Sequence, residues 1–158
     1  MKLETKNKII NLVFKTRKIV EIANTLKNKD FEDVFTKAYS ICDLDALSKI
    51  VYTLAEDEEG KHAFETSEAV YDFLDDYRTE NKCNLVEVYK KIAEALNEEG
   101  FFKKKKTKKE IEEMTLNPLS GINMNEVVQR SATKAMEAIA VEEVKKQSED
   151  NTFKGYKA

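Results

Sequence analysis

The sequence predicts an α+β fold that is predominantly α-helical: a short N-terminal β-hairpin, about five amphipathic helices and a helical C-terminal arm. Three observations carry that prediction. The 158 residues include only four glycines and one proline, too few turn-formers for a sandwich or barrel of many short strands. Apolar side chains recur at the i, i+3, i+4, i+7 spacing of a helix face in five successive segments. Strand chemistry is confined to the first fourteen residues. The length suits one domain with an appended tail. No apolar run approaches the ~18 to 20 residues that span a bilayer. The start, MKLETKNKII, lacks the apolar core of a signal peptide, so a soluble intracellular protein is expected.

Leu3 and Thr5, then the apolar and β-branched run from Ile9 to Phe14, flank the polar Lys6-Asn7-Lys8. They predict a hairpin over residues 2 to 5 and 9 to 14. An isolated hairpin is marginal in water, so this one must lie on the helices or pair with another chain. Thr16 is placed to cap a first helix with Ile19, Ile22, Ala23 and Leu26 on one face. Asp30 caps a second, with Phe31, Val34, Phe35 and Ala38, and Asp43 a third, with Leu44, Leu47, Val51 and Leu54. Thr66-Ser67 opens a fourth carrying Val70, Phe73, Leu74 and Tyr77. Asn84 opens a fifth carrying Leu85, Val88, Tyr89, Ile92 and Leu96, with Glu87 at the capping-box position and Gly100 closing it.

The domain so predicted covers residues 1 to 102, and residues 103 to 158 read as a Lys-rich linker and helical arm. Thr107-x-x-Glu110 is a second capping box. Asn117 to Gly121 holds the only proline, and Asn123-x-x-Glu126 begins a longer helix whose stripe, Val128, Ala132, Ala135 and Ile139, is mostly small. Such a stripe gains little by burial and is expected to dock weakly. The stretch from Ser148 to the end is expected to fray.

Charge is nearly balanced in total, 27 basic against 30 acidic, but segregated along the chain. Residues 1 to 29 hold 8 basic and 2 acidic side chains, and residues 56 to 80 hold 2 basic and 10 acidic. Such stripes either steer association, including with another copy, or are simply solvated faces. Catalytic chemistry finds little to use. Cys42 and Cys83 have no CxxC spacing and read as small apolar side chains. Aligning Gly60 with the glycine of a calcium loop puts Ala55 and Thr66 at the two end ligand positions, where carboxylates are needed. His62 has no second His or Cys at zinc spacing, so a metal centre around Asp57, Glu59 and His62 is only a minor option. The glycines are never close enough to cradle a phosphate. No catalytic, cofactor or metal residues are therefore expected.

Lys103, Lys104, Lys105, Lys106, Lys108 and Lys109 could neutralise phosphates, with Phe101-Phe102 stacking on bases. The block lacks base-reading partners and sits in an acidic chain. It reads first as a linker extended by its own repulsion, and a small nucleic-acid-associated regulator is kept as the alternative. Two adjacent aromatics cannot both face one small core. One ring in the core with the other on its rim is the first reading; as the alternative, Phe101 and Phe102, with Tyr89 and Leu96 on the preceding helix, are the candidate partner contacts, and the six lysines the candidate electrostatic ones.

The order MKLETKNKIINLVF, TRKIVEIANTL, FEDVFTKAYSICDLDALSKIVYTLAEDEEG, TSEAVYDFLDDYR and NLVEVYKKIAEALNEEGFF resembles the tail assembly chaperones of long-tailed bacteriophages over residues 1 to 102. The pieces that carry the likeness are DLDALSKIVYTLA, the threonine-serine start of EAVYDFLDDY, and the closing helix ending in a glycine and aromatics. The resemblance implies a non-enzymatic assembly factor in the host cytoplasm, absent from the finished virion. It would bind the long helical tape measure protein and keep it soluble while tail tube subunits polymerise around it. The tail tube protein is a second implied partner, self-association is expected, and no membrane is involved. A longer frameshifted form is also implied, for which the codons of Lys103 to Lys106 are the expected slippery run.

Overall fold

A computed structural model describes residues 1–116. The hairpin is present: β1 (Lys2–Glu4) and β2 (Ile9–Leu12) pair antiparallel with Leu3 opposite Ile10. The turn closes where the Thr5 amide donates to the Lys8 carbonyl (2.9 Å) and the Lys8 amide to Thr5 Oγ1 (3.0 Å). The two-residue period of a strand sends Leu3, Ile10 and Leu12 inward, where all are buried. A third strand, unforeseen in the sequence, follows. β3 (Ala55–Glu56) pairs antiparallel with β2, Asn11 opposite Glu56, giving the order β1-β2-β3.

The helices are α1 (Thr16–Thr25), α2 (Phe31–Ser40), α3 (Leu44–Leu54), α4 (Ala69–Asn81) and α5 (Leu85–Glu98). Three expected caps form: Asp30 accepts from the Asp33 amide (3.2 Å), Asp43 from Ala46 (3.0 Å) and Asn84 from Glu87 (3.0 Å). Two starts differ. Thr16 is the first helical residue and Lys15 the cap, without a side-chain bond. Glu68 caps α4, although Thr66 Oγ1 still receives the Ala69 amide at 3.4 Å. Gly100, at φ +78°, ends α5 as expected. Its left-handed backbone lets the Phe101 amide reach the Leu96 carbonyl (2.9 Å) and the Gly100 amide reach Asn97 (3.3 Å).

α1 packs on α2 and α3, α3 on α4 and β2, and α2 on α5, around one apolar core. The opposite charge stripes meet within the chain, where Lys18 pairs with Glu56 at 2.8 Å and the Lys6 amide donates to Glu80 at 2.9 Å.

The expected boundary after residue 102 does not hold. α6 (Lys108–Leu116) opens with the predicted reciprocal box, the Thr107 amide donating to Glu110 Oε2 (2.6 Å) and the Glu110 amide to Thr107 Oγ1 (3.3 Å). It packs on α2 and α5 and buries Ile111 and Met114 in the core. The compact unit accordingly runs from Met1 to Gly121. A second unit, Ile122–Ala158, lies outside the described residues, as do the Pro-containing break, the helix expected from Asn123 and the terminal stretch. No described helix is long and apolar enough to cross a membrane.

Candidate functional site

The sharpest apolar exposure is at the corner joining α2 to α3. α2 stops because Cys42 turns left-handed, at φ +50°. That turn lets the Asp43 amide reach back to the Ala38 carbonyl (2.9 Å) and the Cys42 amide to Tyr39 (3.1 Å). Asp43 then caps α3 at once, leaving no slack. This tight geometry pushes Ile41, 67% exposed, and Leu44, 48% exposed, into solvent on either side of the turn. Leu44 was expected on the core stripe of its helix, but as the first residue of α3 it lies past the edge of the core. Tyr71 of α4, 39% exposed, places its hydroxyl 3.4 Å from Asp45 Oδ1 on α3. Asp45 in turn pairs with Lys49. Hence an ion pair borders the apolar corner.

The corner is rigidly backed. Tyr89 donates its hydroxyl to the Asp43 carbonyl at 2.5 Å, and its ring stacks on Tyr39 with centroids 5.4 Å apart. Phe35 touches Tyr39, Tyr89 and Phe102 in the same cluster. Burial raises both tyrosine hydroxyls well above their ordinary pKa, Tyr39 to about 12. Of the four candidate contact residues, Tyr89 and Leu96 are therefore core, at 0% exposed, and Phe102 is nearly so. Only Phe101 stands at the rim. The helical stripe of α5 points Tyr89 and Leu96 inward, and the backbone after Gly100 drives Phe102 against Phe35.

No protein-family model, curated protein or solved structure matches this chain.

The lysine block is a folded strap across α2 and α5. Glu32 is its anchor, accepting from the Lys103 amide (2.7 Å) and pairing with Lys106 Nζ (3.0 Å). The Lys103 ammonium pairs with Asp30, and that hydrogen bond holds the Asp30 carboxyl below its ordinary pKa. Lys106 also lies over the Phe102 ring, 5.4 Å from its centroid. Asn97, buried on α5, clamps the strap by donating to the Lys106 carbonyl (2.8 Å) and accepting from its amide (2.7 Å). The extended, self-repelling linker expected here is thus replaced by a charge-compensated strap. Lys104, Lys105 and Lys108 make no ion pair among the described residues, and Lys109 reaches Glu113 at 3.7 Å.

The acidic turn is structural. Asp57 Oδ1 accepts from the amides of Glu59 (2.9 Å) and Lys61 (2.8 Å), and Glu59 pairs with Lys61 Nζ at 2.6 Å. His62 Nδ1 lies 2.7 Å from the Phe64 carbonyl oxygen, with its ring against Tyr52. Among the described residues no group of three His, Cys, Asp or Glu side chains is placed to hold a metal. An open groove of about 610 Å³ separates this turn from the hairpin turn, lined by Lys6 and Lys8 on one side and Asp57 to Glu59 on the other.

Proposed function

We propose that this chain is a tail assembly chaperone of long-tailed bacteriophages, holding the tape measure protein soluble by binding its helices at the α2–α3 corner. The observation that carries the reading is the exposure of Ile41 and Leu44 on both sides of the tight α2–α3 turn. Side chains so placed suit the apolar stripe of an amphipathic client helix, whose anchors recur at i, i+3 and i+4. The element order, a hairpin followed by amphipathic helices, is compatible with the family resemblance over residues 1 to 102. The nucleic-acid alternative has less to work with, because Lys103 and Lys106 are already paired to Asp30 and Glu32.

Co-expression with the longest gene product encoded downstream in the same genome tests the reading. That product is expected to become soluble and to be captured with this chain. The double variant I41E/L44E, folded by circular dichroism, is expected to lose both effects. A product that stays insoluble with the wild type, or is rescued equally by the variant, overturns the proposal.

A further inference from the structure

Sheet parity leaves one edge open. The Leu12 amide donates to the Met1 carbonyl (2.7 Å) and the Thr5 amide to Lys8 (2.9 Å), so residues 1, 3 and 5 face β2. Antiparallel ladders alternate, and the amides and carbonyls of Lys2 and Glu4 therefore point away from β2. Among the described residues none of those four groups has a partner. The opposite edge is covered, since β3 is bonded on its outer side by Ala63 to Ala55 (3.2 Å) and by Asp57 to Lys61 (2.7 Å). The open edge carries Lys2 and Glu4, both more than half exposed and paired with each other at 3.0 Å. Unpaired edge backbone can template another strand, and on this short edge the charges of Lys2 and Glu4 decide which pairings are open to it.

We propose that β1 pairs antiparallel with β1 of a second copy, about a two-fold axis at Leu3, to make one continuous six-stranded sheet. Outward-facing residues can only oppose outward-facing residues, which leaves three registers. One sets Lys2 against Lys2 of the copy and another Glu4 against Glu4. The third sets Lys2 against Glu4 at both ends of the pairing. Like charges directly opposite are destabilising and unlike ones stabilising, so charge selects the third. In it two residue pairs each exchange two backbone hydrogen bonds, and two cross-strand ion pairs flank the axis. The contact is short, which makes the dimer concentration-dependent rather than obligate. The inference does not depend on the chaperone reading, because no client residue enters it.

Sedimentation of the full chain across a concentration series tests it. The wild type is expected to dimerise. K2E and E4K each turn both pairs into like-charge pairs and are expected to weaken the dimer about tenfold, while the double variant K2E/E4K restores it. Glu4→Pro removes an amide that the hairpin does not use, and is expected to abolish dimerisation while circular dichroism stays native. If Glu4→Pro fails to fold, the three charge variants decide. A wild type that remains monomeric at its highest soluble concentration, or a dimer indifferent to all the variants, overturns the proposal.

Discussion

Three non-glycine residues hold left-handed backbone where helices end: Lys27 (φ 59°), Cys42 (φ 50°) and Lys82 (φ 49°). A side chain there costs roughly 1 to 2 kcal/mol, which glycine avoids at some entropic expense. Lys27 is exposed, so Lys27→Gly is expected to raise stability by about 0.5 to 1 kcal/mol in urea denaturation; an unchanged or lower midpoint would contradict this. Cys42 packs against the core, and the same change there gains less. Asn97 is the residue whose role was least legible. The caps Asp30, Asp43 and Asn84 bond an amide three positions on, so local spacing reveals them. Asn97 bonds a strap nine residues away, and in the sequence it is only a polar residue near the end of a helix. Asn97→Ala strands the Lys106 backbone groups and is expected to cost about 1 to 3 kcal/mol, read from the same denaturation curves.

At the level of elements, α6 and its strap are held by charged pairs as well as by the buried Ile111 and Met114. Lys90 pairs with Glu112 at 2.6 Å, and Lys103 and Lys106 with Asp30 and Glu32. Hydrogen bonds from Lys103 and Lys90 hold Asp30 and Glu112 below their ordinary pKa, and the Thr107 amide does the same for Glu110. Carboxyls lowered in the fold stabilise fully above their unfolded pKa, near 4, and lose that contribution as pH falls through the folded value. Thermal melts are therefore expected to drop below about pH 4, and Lys103→Met to flatten that dependence; parallel pH profiles would contradict the strap's role. Ile111→Ala should cost about 2 to 5 kcal/mol if α6 is part of the core, against almost nothing for an undocked arm. The Thr107 box was legible because both partners lie within four residues. The docking was not, since the lysine run is self-repelling until Asp30 and Glu32, seventy or so residues earlier, are brought beside it. β3 has two residues and thus no alternation to read.

For the whole molecule, the alternation of apolar and polar positions was enough to foresee the hairpin and the five helices that follow it. It could not say which apolar residues stay outside. Leu44 and Tyr89 both sit on apolar stripes, yet one faces solvent and the other the core, because only the tight corner after Cys42 separates them. The charge stripes, able to steer association, are in part spent within the chain through Lys18 and Glu56. Among the described residues, the outward surfaces include the apolar α2–α3 corner and a short open strand edge, both suited to contact. In the proposed function, the corner binds amphipathic helices of the tape measure protein. The direct measurement is the affinity of the wild type and of I41E/L44E for helical segments of that protein, at low and high salt. Binding is expected to weaken more than about tenfold in the variant and to change little with salt. An affinity that falls steeply with salt, or that the variant leaves intact, would contradict it.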